Sequence, residues 1–331
     1  MKKKILITGG SGYIGSVLAL KALKKYQVYI IDKKAKNIFL KSNKIIYKKV
    51  DIVNRKQTLK IIREIKPESI IHLAAQSTID MIDIKKEDYI RDNIEGTKNI
   101  IEICKILKIN KFIFSSTAAV YKPKNTSISE KSLLKPSNIY GITKLKNEKF
   151  IQKKLDNSST KFCILRFFNV CSSNKESLIG EYHSPETHLL PILINKILNN
   201  KIIFIYGNDY KTKDGTCIRD YIHINDIVDG ILKSLIYLSK NKSNIFNLGS
   251  ENGMSVLEII KKCSNILEKK AHIKFVNRRK GDSKKLICNI EKAKKYLKWK
   301  PRNSKIKKMI HDEIWWFKYL NYKKISRSFI Y

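Results

Sequence analysis

Tyr140 and Lys144 stand four residues apart in a stretch of helical periodicity over 140–155, so their side chains share one face. A free phenol, with a pKa near ~10, is a poor base at neutral pH. An ammonium one turn away, together with the positive ring of a bound cofactor, stabilises the phenolate and is expected to bring that pKa toward the working range. The hydroxyl run Ser115-Ser116-Thr117 ends a strand-like segment two elements earlier. At the carboxyl edge of a parallel sheet, such a hydroxyl can meet the tyrosine over a bound molecule. Proton transfer to and from a substrate hydroxyl is the chemistry this set would do.

A second constellation lies at the start of the chain. Thr8-Gly9-Gly10-Ser11-Gly12-Tyr13-Ile14-Gly15 places Gly9, Gly12 and Gly15 at G-x-x-G-x-x-G spacing between a strand and a helix. Glycine there allows a tight turn, close approach of the backbone to a pyrophosphate, and tight packing of helix on strand. Asp32 closes the next strand, 17 residues beyond Gly15. A carboxylate at that place accepts from an adenosine ribose and repels a 2′-phosphate, which selects NAD over NADP.

The elements that must position these groups alternate along the chain. Strands are expected at 4–8, 28–32, 44–50, 69–72, 111–115 and 162–166. Helices are expected at 13–25, 56–64, 89–107 and 140–155. Continuous apolar strands separated by helices imply an α/β fold, a parallel sheet covered on both faces and doubly wound in the Rossmann manner. Residues 1–170 are expected to form this cofactor-binding domain. Residues 171–331 form mainly a smaller α/β substrate-binding region, with the apolar run 245–248 returning to the sheet. Within that region a loop-rich stretch, 171–186, leads to helices expected at 188–198 and 305–319.

Composition bounds the remaining possibilities. No apolar run approaches the ~20 residues that span a bilayer. The N-terminal residues pass straight into the first strand without the apolar stretch of a secretory signal, so a cytoplasmic protein is expected. Six scattered cysteines without a CxxC pair indicate reduced thiols rather than a disulfide framework or zinc ribbon. The net charge of +39 invites a nucleic-acid reading, but only nine of the 68 basic residues are arginine and they are spread along the chain. No specific nucleic-acid partner is expected, because charge alone supports only non-specific binding.

Together the glycine loop, Tyr140/Lys144 and the strand Phe112-Ile113-Phe114-Ser115-Ser116-Thr117-Ala118-Ala119-Val120-Tyr121 resemble the extended short-chain dehydrogenase/reductase family over the whole chain. The resemblance implies Thr117 at the catalytic Ser/Thr position, Tyr140 as the base, and Lys144 as its partner and a holder of the nicotinamide ribose. It further implies NAD contacts from Gly9, Gly12, Tyr13, Ile14, Gly15, Asp32, Asp51, Ile52, Leu73, Ala74, Ala75, Asp92, Tyr140, Lys144 and Phe168. Three departures from the family pattern stand near that cofactor: the stretch 76–82, Asp92 in place of a usual asparagine, and Tyr121-Lys122 in place of Tyr-Gly.

The stretch 206–223, from Tyr206 to His223, is similar to the signature of the UDP-glucose 4-epimerase branch. So are Leu165-Arg166-Phe167-Phe168-Asn169, Pro185-Glu186-Thr187-His188-Leu189-Leu190-Pro191 and Arg278-Arg279-Lys280-Gly281-Asp282. This similarity implies a UDP-sugar substrate approached by Thr117, Asn169, His188 and Leu189, with Tyr206 beside the uracil. Arg219 and Arg279 would pair with the diphosphate, which suits their forked donors. Asp282 would accept from the uridine ribose. Leu286 stands at the position where a tyrosine excludes N-acetylated sugars. Related 4,6-dehydratases carry an Asp-Glu pair after the threonine, and decarboxylating relatives a glutamate. Ala118-Ala119 offers no such acid or base, which favours simple epimerisation.

The expected activity is therefore NAD-dependent 4-epimerisation of a UDP-sugar, UDP-glucose and UDP-galactose first, by a homodimer formed through two helices of the sheet domain. A UDP-pentose or UDP-uronate epimerase is the enzymatic alternative, and an idle NAD-binding scaffold the non-enzymatic one. His72 ends a buried strand and His223 sits in a strand-to-helix turn, and both are expected to serve structural hydrogen bonds. With no acidic or cysteine partners at ligand spacing, no metal is expected.

Overall fold

The computed structural model describes residues 2–77, 86–183, 186–279 and 282–325. Its first half alternates β1 (Lys4–Thr8), α1 (Tyr13–Ala22), β2 (Gln27–Asp32), β3 (Ile45–Lys49), α2 (Arg55–Ile65) and β4 (Ser69–His72). Then come α3 (Lys86–Tyr89), α4 (Gly96–Ile106), β5 (Lys111–Thr117), α5 (Ile139–Leu155) and β6 (Lys161–Phe167). With β12 (Asn244–Leu248) these strands form one parallel sheet of seven, in the order β12-β6-β5-β4-β1-β2-β3. The doubly wound α/β architecture expected from the sequence is the one observed. The chain leaves the β3 edge and returns beside β1 as β4, so the switch point of the winding lies between β1 and β4. Ligands of open parallel sheets bind at that crevice.

Period-two alternation sorts the strand side chains between two layers. Ile5, Ile7 and Ile113 face one way, onto Val17 and Leu18 of α1 and onto α7 (Ile224–Lys240). Leu6, Phe112 and Phe114 face the other way, onto Ile62 of α2, Ile100 and Ile103 of α4, and Ile151 of α5. All of these side chains are fully buried. The helix expected over 89–107 is interrupted by a π-helical turn, Ile90–Glu95, before α4. Such turns insert one extra residue and re-aim side chains; this one carries Asp92 and Asn93.

After β6 the chain forms β7 (Asn169–Cys171), the ribbon β8 (Ser173–Asn174) and β9 (Ile179–Gly180), and α6 (Leu189–Leu198). Next come β10 (Ile203–Tyr206) and β11 (Ile218–His223), and after β12, β13 (Gly253–Ser255) and α8 (Val256–Leu267). The chain closes with β14 (Ile273–Val276), β15 (Lys285–Leu286), α9 (Glu291–Leu297) and α10 (Ile306–Tyr322). A third core joins α6, α8 and α10 through Leu193, Ile194, Ile259, Ile260, Met309 and Ile310. Among the described residues no helix is long and apolar enough to cross a membrane.

Candidate active site

The loop after β1 sits at the switch point. Gly9 takes φ +69°, and a Cβ there would lie 2.6 Å from the backbone nitrogen of Ala74, beyond β4. A Cβ on Gly15 would lie 2.4 Å from the Gly9 carbonyl oxygen. Both positions therefore demand glycine, one for its φ and the other for helix–loop contact. The α1 N-terminus begins at Gly12 with no side chain capping it, which leaves its amides directed at the crevice. The Ser11 hydroxyl is buried there without a hydrogen-bond partner. These features fit a pyrophosphate group.

Asp32 accepts from the Ser11 and Lys34 amides, each at 3.0 Å. Burial pushes its carboxyl up, and the two amides oppose that shift. Leu73 donates from its amide to Thr8 O, and Ala74 from its amide to Thr8 Oγ1, which fixes 73–75 across the loop. Asp51 turns the chain by accepting from the Val53 amide at 3.0 Å, and Ile52 packs under Gly96. Phe168 is buried, its amide on Leu248 O. The Tyr13 hydroxyl donates to Ser172 O.

Asp92 is buried between Lys33, Gln76 and Arg91. Burial pushes its carboxyl up, but the hydrogen bonds from these three hold it below the ordinary range. The charge that replaces a usual asparagine is thus matched locally by two cations. Of the stretch 76–82, residues 78–82 lie outside the described residues.

Thr117 ends β5 and caps the short 3₁₀ turn Ala118–Val120 by accepting from the Ala119 amide at 3.1 Å. α5 starts at Asn138, whose side chain accepts from the Gly141 amide at 2.8 Å. A Cβ on Gly141 would lie 2.4 Å from Ala119 O, so only glycine lets the first turn of α5 press onto the 118–120 turn. That close approach brings the half-buried Tyr140 beside the end of β5. Lys144 is 2% exposed and donates to Ser115 O at 2.8 Å. Its nitrogen lies 5.7 Å from the Tyr140 ring centroid.

Burial pushes the Tyr140 phenol above its ordinary value, with nearby Tyr89 adding to the shift. Burial pushes Lys144 down to about 7, against the opposing charge of Glu148.

The second wall of the cleft is built by β11, which pairs with β7, β13 and β15. Asn169 on β7 is exposed and registers with Tyr221. Arg219 registers with Leu286 and pairs its guanidinium with Asp282. Thus two residues expected at different parts of a nucleotide hold one another. The Arg279 guanidinium lies 4.0 Å from the centroid of the Tyr206 ring, a cation–π contact that joins β10 to the loop after β14. Leu189 begins α6 and packs on the third core. Lys280 and Gly281 of this wall's motif lie outside the described residues.

His188 stands apart from this wall: its Nδ1 lies 2.8 Å from Glu181 Oε1 and 3.0 Å from Glu186 Oε1. Burial pushes this imidazole down, but the two carboxylates raise it well above its ordinary value. His183 joins the same cluster. The expectation that histidines lack acidic partners at ligand spacing is therefore corrected. The spacing E-x-H-x-x-E-x-H over 181–188 was the available signal, hidden because 171–186 reads as loop. His72 bridges Thr8 and Thr97 at 2.6 and 2.9 Å, and His223 reaches Asp312 at 3.1 Å, both structural roles.

The chain resembles known proteins both in sequence and in fold. The model of the NAD dependent epimerase/dehydratase family matches residues 5–249. The chain is 33% identical over 330 residues to the UDP-glucose 4-epimerase of Lactobacillus helveticus, covering 95% of this chain and 97% of that one. Among solved structures it is similar to the UDP-Glc/GlcNAc 4-epimerase from Campylobacter jejuni, with TM-score 0.82 and 33% identity over 96% of this chain and 99% of that one. It is likewise similar to the UDP-glucose 4-epimerase from Bifidobacterium longum in complex with NAD⁺ and UDP. There the TM-score is 0.89 and the identity 26%, covering 98% of this chain and 99% of that one.

Proposed function

The chain belongs to the NAD dependent epimerase/dehydratase family, and on that premise we propose that it interconverts UDP-glucose and UDP-galactose by epimerisation at C4. The observation that supports this reading most is the close approach of the first turn of α5 to the 118–120 turn that Thr117 caps, with the Lys144 nitrogen 5.7 Å from the Tyr140 ring centroid. The neighbouring alanines, Ala118 and Ala119, supply no carboxylate for elimination.

Gly9, Gly12 and Gly15 would hold the pyrophosphate of NAD and Asp32 its adenosine ribose, while Lys144 would hold the nicotinamide ribose. NAD held there would supply the acceptor and donor of hydride at C4, chemistry that no side chain can provide. Tyr140 takes the proton of the 4′-hydroxyl and returns it after the 4-keto sugar has turned over. Thr117 orients that hydroxyl by hydrogen bonding. Lys144, with a value of about 7, carries a substantial ammonium fraction at neutral pH and stabilises the phenolate in that form. Arg219, Arg279, Tyr206, Asn169 and Asp282 grip the UDP moiety, so the hexose is left free to rotate. For that grip the Arg219–Asp282 pair exchanges partners with the nucleotide.

Leu286 at the sugar end is smaller than a tyrosine, which extends the proposal to N-acetylated hexoses. The protein is proposed to act as a cytoplasmic homodimer, which light scattering of the purified protein tests.

The decisive experiment incubates purified protein with UDP-galactose and no added hydride donor. Equilibration with UDP-glucose, and release of NAD rather than NADP on denaturation, is the expected result. No conversion by NAD-loaded protein would sink the proposal.

A further inference from the structure

Glu181 follows β9, and its carbonyl accepts from Trp316 Nε1 of α10 at 2.7 Å, which pins this residue to the core. Glu181 and Glu186 are 1% and 0% exposed, yet both carboxylates point at the same two imidazoles. His188 Nδ1 is 2.8 and 3.0 Å from one oxygen of each. His183 Nδ1 is 3.5 Å from Glu181 Oε1 and 3.8 Å from Glu186 Oε2. One donor atom from each of the four residues lies within 4.8 Å of every other.

Hydrogen bonding inside the protein does not use this set up. Glu186 Oε1 accepts from the Thr187 and His188 amides as well as facing the imidazole. Glu186 Oε2 and His183 Nδ1 are buried with no hydrogen-bond partner. His188 is the N-cap residue of α6 but its side chain caps nothing, leaving Nδ1 for the cluster. Two carboxylates this deeply buried need cationic partners, and a bound metal ion supplies that charge.

We propose that Glu181, His183, Glu186 and His188 form a zinc site that fastens the segment preceding α6. In a tetrahedral zinc site with bonds of about 2.0–2.1 Å, donor atoms sit roughly 3.3 Å apart. The imidazole-to-carboxylate distances of 2.8, 3.0, 3.5 and 3.8 Å lie about that edge, and one donor from each residue stays within 4.8 Å of the others. Two imidazoles disfavour magnesium and calcium, and the tetrahedral set selects zinc among imidazole-binding metals. All four ligands come from the chain, so the site is closed and structural rather than catalytic. The half-exposed His188 and the partly exposed His183 give the ion its way in. The Trp316 bond orients Glu181 and the two amides orient Glu186, the supporting contacts a metal site requires. Zinc would thereby join the ribbon of β8 and β9 to the start of α6, where Leu189 approaches the substrate cleft.

The test uses full-length protein made without a histidine tag. Elemental analysis is expected to find roughly one zinc per chain. Competition with a chromophoric chelator should show His183→Ala and the isosteric Glu186→Gln binding zinc at least ~100-fold more weakly. His183→Cys, which supplies a thiolate, should recover much of the affinity. Cobalt replacing zinc should give the strong visible absorption of a tetrahedral ion. Wild-type protein that neither contains zinc nor takes it up at micromolar concentration overturns the proposal, leaving a hydrogen-bonded cluster of acids and imidazoles. Folded variants that bind zinc as tightly as wild type overturn it too.

Discussion

Arg166 on β6 grips Glu148 on α5 through two parallel contacts, Nε to Oε1 at 2.9 Å and Nη2 to Oε2 at 2.6 Å. Their side chains are 2% and 1% exposed. The Ser116 hydroxyl donates to the same carboxylate, and Arg166 also donates to the Tyr121 hydroxyl at 2.7 Å. Tyr121 in turn donates to Asn247 of β12 at 2.6 Å. Glu148 lies one turn after Lys144, so this network fixes α5 against β5, β6 and β12 just beyond the reacting groups. It also gives Tyr121 a structural task.

Removing one partner leaves a buried charge uncompensated, which costs ~3–5 kcal/mol. Glu148→Ala should therefore lower unfolding stability by about that amount in urea. The double variant Glu148→Leu, Arg166→Met should recover a large part of it. A single-variant loss under ~1 kcal/mol would mean the pair does not anchor the helix.

Tyr140→Phe should remove nearly all turnover while the protein still purifies with NAD, because the change deletes the proton acceptor and little volume. Thr117→Ala should lose roughly 10²-fold. Initial rates and the cofactor content of denatured protein measure both effects. Near-normal turnover in Tyr140→Phe would falsify the assignment of the base.

Asp220 is fully buried and accepts from the amides of Ser250, Glu251 and Cys288 and from the Ser250 hydroxyl. Burial nevertheless raises its carboxyl to about 6 from an ordinary 3.8, with those bonds opposing. Between these values the folded state binds the proton that the unfolded state has released. The contribution to stability is thus full below pH ~4 and is lost as pH rises through ~6. Compared with Asp220→Asn, wild type should lose on the order of 2–3 kcal/mol between pH 4 and 7. The Asn variant's lost hydrogen bonds add an offset independent of pH, so the slope is the quantity to measure. Parallel pH profiles of the two proteins would refute the raised value.

Leu286 registers with Arg219 and is only partly buried. Wild type is expected to epimerise UDP-GlcNAc as well as UDP-glucose. Leu286→Tyr should lose the acetylated substrate selectively, by filling the space its N-acetyl group needs. A wild-type enzyme inactive on UDP-GlcNAc at concentrations that saturate it with UDP-glucose shows that Leu286 is not a sufficient gate.

What the sequence determined by itself is what depends on neighbours along the chain. Glycine spacing after a strand, a carboxylate closing the next one, and Tyr140 and Lys144 on one helical face follow from fixed backbone geometry. Unbroken apolar runs identified strands buried on both faces and hence the doubly wound sheet. The capping box of Ser255 and Glu258, which starts α8, is a local signal of the same kind, carried by residue types three positions apart. The π-helical turn at Ile90–Glu95 had no such signature, since its residues also suit an α-helix. Tertiary structure alone decided which distant charges meet. Arg219 finds Asp282 across 63 residues, and Arg166 finds Glu148 on a different element. Glu181 and Glu186 converge on His183 and His188, a proximity of side chains that residue spacing alone does not set. Strand and helix periodicity fix which way a side chain leaves its own element. What it meets is fixed by packing between elements, and the burial that raises the Tyr140 phenol is a product of that packing.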